Sequence, residues 1–185
     1  MNLNEEVQRI KSIMGVINED VEKTEQLFSE FLGNDKSLWS VYVDIAKTLK
    51  DSFTIEHFLM EYKYSGGLKS LAGGILPQTQ NAYDKLNKAV GKKLGINSGY
   101  RSYQRQGEIF IQMANKYGGT ISGGLKQAAL PGFSEHHTGR ALDISGYDKV
   151  NETLLKKYGF VRNYLKPIDN FRIAEPWHIY YTGDL

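Results

Sequence analysis

The stretch Ser134-Glu135-His136-His137-Thr138-Gly139-Arg140-Ala141-Leu142-Asp143 sets an imidazole and a carboxylate seven positions apart, with a glycine between them. Near the C-terminus, Glu175-Pro176-Trp177-His178 supplies a second imidazole and a second acid. Two histidines and one carboxylate can hold a catalytic zinc and leave a fourth coordination position for water. A further glutamate beside that position can act as general base. The residue types therefore read as a zinc hydrolase. The chain has no cysteine, which excludes disulfides and thiolate metal sites, so a metal must rest on His, Asp or Glu.

Spacing refines the reading. Along a strand, side chains alternate between faces. Asp143 lies between Leu142 and Ile144, so it points away from the core that those two face. A carboxylate in so apolar a strand needs a cationic partner, because an unpaired buried charge is expensive. A metal or an arginine would serve. His136 precedes the Gly139 turn and can reach back to the same point, whereas its neighbour His137 points elsewhere. A loop histidine beside a salt-bridged aspartate is the competing reading. Pro176 fixes an extended entry to the Trp177–Tyr181 strand. That lets His178 enter the metal shell while Glu175 stays close to it. A buried aromatic strand end with a surface glutamate is the plainer alternative.

Together these residues resemble a known family. Ser134-x-His136-x-x-Gly139-x-Ala141-x-Asp143, followed by Glu175-Pro176-Trp177-His178, is similar to the M15 zinc peptidases, the VanY-type D-alanyl-D-alanine carboxypeptidases. A third motif agrees: Ser98-Gly99-Tyr100-Arg101-Ser102-Tyr103 followed by Gln106. The resemblance covers roughly residues 75–183 and implies that His136, Asp143 and His178 bind zinc. It implies that Glu175 is the general base and that Arg101 binds the substrate carbonyl or carboxylate. Ser134, Gln106 and Ser102 would line the substrate site. The family shares its architecture with the hedgehog signalling domain and with phage endolysins that cut peptidoglycan stem peptides.

The elements that must position these residues follow from periodicity. Apolar residues at helical spacing predict helices over residues 4–17, 24–32, 38–49 and 55–62, the last ended by Gly66-Gly67. His57, within the fourth, reads as structural. The Gly66-Gly67 and Gly73-Gly74 pairs mark a boundary, giving a helical unit over 1–72 and a zinc peptidase domain over 73–185. In the second part, Pro77 opens a helix with Ala82, Tyr83, Leu86 and Val90 buried. Leu94–Ser98 is a strand, and Tyr103, Phe110 and Met113 mark another helix. Residues 119–133 are glycine-rich and read as an irregular active-site loop. Ala141–Ser145 is a strand, Val150–Tyr158 a short helix, and Phe160-Val161 and Trp177–Tyr181 are two more strands. The expected class is α+β, a small antiparallel sheet flanked by helices and preceded by an all-helical unit.

Charge and composition narrow the setting. Residues 1–74 hold 8 Lys+Arg against 12 Asp+Glu, and the remainder 15 against 9. The half with the chemistry is thus the basic one, suited to an anionic polymer. With the family resemblance, that polymer is the bacterial cell wall rather than nucleic acid. The acidic start has no basic or apolar signal region, and no run is long enough for a membrane helix. On this reading the protein is phage-encoded or exported by another route. The leading expectation is a carboxypeptidase, D,D- or L,D-, acting on peptidoglycan stem peptides. An L-alanyl-D-glutamate endopeptidase would use the same catalytic set. A zinc-containing wall or virion binding module without turnover is the alternative of another class. Residues 1–72 are expected to target or dock, so a chain starting near Gly73 should fold alone.

Overall fold

The computed structural model describes residues 32–33, 35–164 and 172–183. In chain order its helices are α1 (Lys36–Thr48), α2 (Ile55–Ser65), α3 (Pro77–Ala89), α4 (Tyr103–Lys116), α5 (Ile121–Leu125) and α6 (Glu152–Lys157). The strands are β1 (Gly95–Ser98), β2 (Ala141–Ser145), β3 (Phe160–Val161) and β4 (His178–Tyr181). Short 3-10 turns occupy Glu135–Thr138 and Tyr147–Lys149. The two helices expected over 4–17 and 24–32 fall, but for Leu32, outside the described residues.

The chain divides into two compact units. One holds the described residues up to Lys69 together with Tyr103–Ser134; the other holds Ser70–Ser102 and the described residues from Glu135 on. One break falls between Lys69 and Ser70, where the glycine pairs lead one to expect a boundary between residues 72 and 73. The division differs in that 103–134 pack with the helices that precede the break.

In the first unit, the Asp35 carboxylate caps α1 by accepting from Ser37 N (2.9 Å) and Leu38 N (3.2 Å). The α1 stripe Leu38, Val41, Tyr42 and Ile45 is buried, as its spacing predicts. Tyr42 joins Phe53 and Phe58 in an aromatic cluster with ring centroids 5.2–5.5 Å apart. Helix α4 lies against α1 at Gly107, where any side chain would run into Val41. His57 has a structural role: its Nδ1 accepts from Thr54 N at the start of α2 (3.1 Å). The expected irregular loop over 119–133 is instead largely built. It contains α5, and Ile121, Leu125, Leu130 and Phe133 are buried. Its glycines serve packing: a Cβ on Gly124 would meet the Phe110 ring at 2.6 Å.

The second unit is the antiparallel sheet, in the order β1-β2-β4-β3. Leu142 and Ile144 of β2, Ile179 and Tyr181 of β4 and Phe160 of β3 share a core with Ala82, Tyr83 and Leu86 of α3 and Leu155 of α6. Helices α3 and α6 thus bury one face of the sheet, and the alternate residues Asp143 and His178 take the other. Pro77 stands at the first turn of α3, as expected. This unit is α+β, with a small antiparallel sheet and packed helices.

Candidate metal centre

Register builds the centre. Asp143 of β2 pairs directly with His178 of β4, and Ser98 of β1 pairs with Asp143 from the other side. The ladder between β1 and β2 is irregular between Ile96 and Ser98, which re-aims the end of β1 at this row. Opposite residues of an antiparallel pair have side chains about 5 Å apart, so an aspartate and a histidine placed there must meet.

The third member arrives on the 3-10 turn Glu135–Thr138. Gly139 closes that turn at φ 66°, and a Cβ there would collide with Gly74 O. The segment from Ala72 to Leu76 clamps it: Ala72 N donates to His137 O (2.9 Å) and Leu76 N to Gly139 O (3.0 Å). His136 is thereby held with Nδ1 on Gly99 O (2.6 Å) and Nε2 facing Asp143 Oδ2 (3.3 Å). His178 presents Nδ1 to Asp143 Oδ1 (3.1 Å). The rings of His136 and His178 stand edge to face, 5.0 Å apart.

One ligand atom from each of His136, Asp143 and His178 lies within 4.8 Å of the others, a group able to hold a metal ion. The donor chemistry fits. A carbonyl can only accept, so Gly99 O puts the proton of His136 on Nδ1 and leaves a lone pair at Nε2. That lone pair faces a carboxylate oxygen, and two acceptors face each other comfortably only across a cation. Burial lowers the His136 pKa to about 4, so the ring is neutral and ready to ligate. Burial opposes the charge on Asp143, but the two histidine rings beside it, His178 donating from Nδ1, hold its carboxyl well below the usual range.

Arg101 ion-pairs with Asp143 Oδ2 and donates Nε–H to Ser98 Oγ (2.8 Å). Its backbone N–H donates to His136 O (3.2 Å), and its carbonyl accepts from the His137 ring (2.7 Å). His137 therefore does point away from the group, where it pins the Arg101 loop. Burial raises the Glu175 pKa to about 7, with His178 pulling it down and Asp143 pushing it further up. Glu175 N donates to Tyr164 O (2.7 Å), and Glu175 O accepts from His178 N (3.1 Å), which sets the glutamate at the foot of β4.

Five of the residues singled out in the sequence thus converge in this unit: His136, Asp143, His178, Arg101 and Glu175. Ser102 follows Arg101 and is half-buried. Gln106 and Ser134 belong to the first unit. Gln106 is buried and donates its amide to Ala129 O (2.8 Å), and Ser134 is also buried.

Glu135, which neither spacing nor the family resemblance singles out, brings Oε2 to 2.9 Å from Nε2 of His178. Its place one residue before His136 was the available signal.

Residues 74–156 match the family model described as VanY, D-alanyl-D-alanine carboxypeptidase. The chain carries a VanY-family domain. The putative carboxypeptidase YodJ of Bacillus subtilis is 37% identical over 113 residues, covering 52% of this chain and 41% of that protein. The chain therefore spans less than half the length of that relative. Among solved structures, a mutant of the vancomycin resistance D,D-pentapeptidase VanY in complex with Zn(II) is 28% identical. It matches with a TM-score of 0.53, covering 63% of this chain and 79% of that one. An L,D-carboxypeptidase, DacB from Streptococcus pneumoniae, is 29% identical with a TM-score of 0.52, covering 65% and 74%. The VanY-family domain thus takes in the β1 end, the 3-10 turn and β2, while His178 and Glu175 lie beyond the matched stretch.

Proposed function

We propose that this chain is a zinc-dependent carboxypeptidase that removes the terminal D-alanine from peptidoglycan stem peptides at the bacterial cell wall. The observation that carries this reading is the His136–Asp143–His178 group, with Arg101 and Glu175 beside it. The D,D-pentapeptidase and the L,D-carboxypeptidase among the similar structures support the substrate class.

Zinc, when held by the three side chains, would acidify a water and polarise the scissile carbonyl. The chain's own groups do the rest. In the metal-free protein burial raises the Glu175 pKa to about 7, near the operating pH, the range in which a group both takes and returns a proton efficiently. It accepts the proton of the attacking water and delivers it to the departing amine as the C–N bond breaks. Arg101 is anchored by Ser98 and Asp143, so its cationic fork is fixed before substrate arrives. It neutralises the developing oxyanion or grips the terminal carboxylate. The family resemblance adds Ser102, Ser134 and Gln106 as substrate contacts, each open to alanine substitution.

Mass spectrometry of purified muropeptides, with and without zinc, tests the reading. Loss of one alanine from a stem ending in D-alanyl-D-alanine gives D,D specificity. Loss of the D-alanine that follows an L-centre gives L,D specificity. Cleavage between L-alanine and D-glutamate would replace the proposal with an endopeptidase. No cleavage at full zinc occupancy would leave a binding module.

A further inference from the structure

The imidazole of His178 has a carboxylate at each end. Asp143 Oδ1 stands 3.1 Å from Nδ1, and Glu135 Oε2 stands 2.9 Å from Nε2. Only the first belongs to the group that can hold a metal. A neutral imidazole carries one N–H, and the nitrogen that carries it cannot ligate. With nothing to choose between them, His178 could put its proton on Nδ1 and blunt the centre. The geometry points to Glu135 as the positioning residue that keeps the proton on Nε2 and so frees Nδ1 of His178 for the metal.

Glu135 is itself fixed for that purpose. Its other oxygen, Oε1, accepts from Asn163 Nδ2 at 3.1 Å. The Tyr164 side chain also hydrogen-bonds to it, and the Tyr164 ring lies 5.0 Å from the ring of His178. Tyr164 O holds Glu175 N, so the short stretch after β3 ties together the carboxylate, the ligand ring and the start of Glu175. The Glu135 side chain keeps 15% of its surface and that of His178 only 4%, so little water competes for Nε2. A carboxylate on the far nitrogen of a ligand histidine fixes tautomer and ring orientation, and its loss typically costs 10–100-fold in metal affinity. An incidental ion pair would need neither the Asn163 brace nor alignment with the far nitrogen. The inference rests on the zinc reading of the His136–Asp143–His178 group.

The test uses the full chain, stripped of metal. Zinc affinity is read by competition with a chromophoric chelator, and the His178 ring is followed by nitrogen-15 NMR in the zinc-loaded protein. Glu135→Ala should weaken zinc binding by about 10–100-fold. Its Nε2–H resonance, protected in the wild type, should be lost to solvent exchange. Glu135→Gln keeps an acceptor oxygen of the same reach, so it should retain most of the affinity and keep the resonance. Asn163→Ala leaves the charge and removes the brace, so its loss should fall in between. It also decides the matter if Glu135→Ala does not fold. Wild-type affinity with an unchanged His178 resonance in Glu135→Ala, or in Asn163→Ala where that variant stands in, overturns the inference and leaves the zinc reading intact. A wild-type chain that binds no zinc through His178 overturns both.

Discussion

Loading the centre with zinc should expel a proton, and the size of that effect can be worked out. In the metal-free protein His178 is buried, which by itself would lower its pKa. Hydrogen bonds to Asp143 and Glu135, and their charges, instead raise it to about 9. At pH 8 the ring is therefore mostly imidazolium, and a metal at Nδ1 must displace that proton. His136, with a pKa of about 4, has none to give. His178 should thus contribute close to one proton per zinc at pH 8. At pH 7 the protonated ring lies about two pH units below its pKa, which costs zinc binding about 2.7 kcal/mol, or roughly a hundredfold in affinity. Apparent affinity should climb about tenfold per pH unit up to pH 8 and level off above 9. Glu175, near 7, adds a fraction of a proton at neutral pH, which makes pH 8 the cleaner condition. Calorimetry in buffers of different ionisation enthalpy reads the proton count directly. The sign for stability follows the same linkage. A pKa raised above the unfolded value stabilises the metal-free fold below about pH 6.5, and that support is lost as pH rises through about 9. Zinc affinity that is flat from pH 6 to 8, with no proton released, would show His178 neutral in the metal-free protein and refute the reasoning.

Three further outcomes are expected. Glu175→Gln should keep the fold and the zinc but lower kcat by about 10²–10⁴, the usual worth of a positioned base; steady-state turnover of a soluble stem peptide, beside metal analysis, checks it. Gly139→Ala should lose at least the ~1–2 kcal/mol cost of a left-handed residue, and more from the collision with Gly74 O; thermal melting checks it. A chain starting at Gly73 should be insoluble or unfolded, contrary to the independence expected from its motifs, because it keeps α4 and α5 without α1 and α2. It would strip Val41 from Gly107, the Tyr42 hydroxyl from Pro131 O and the Glu61 carboxylate from Leu130 N; circular dichroism of the truncated chain decides between the two outcomes.

The centre was legible in the sequence where backbone period dictates direction. Asp143 between two buried aliphatics had to face away from the core, and strand register then brings His178 opposite it. Gly139 announced a turn that returns His136 to the same row. Less was legible where long-range packing decides. The glycines at 123 and 124 read as part of an irregular loop in sequence, yet Gly124 is there to admit the Phe110 ring. Helix α4 follows the Ser98–Ser102 motif in the chain but packs on α1, a choice made by the Gly107–Val41 approach and invisible to periodicity. Glu135 escaped because a residue beside a ligand on a 3-10 turn has no periodic signature. Its role depends on Asn163 and Tyr164, more than twenty residues away in the chain. The amphipathic patterns at 4–17 and 24–32 lie, but for Leu32, outside the described residues.

The central claim is that zinc on His136, Asp143 and His178 drives removal of D-alanine. Titrating metal-free protein with zinc while following D-alanine release from a stem peptide tests it most directly. Activity should rise in proportion to added zinc, reach its plateau at one equivalent per chain, and stay absent in His178→Ala. Full release before any zinc is added, or an unchanged plateau in His178→Ala, would contradict it.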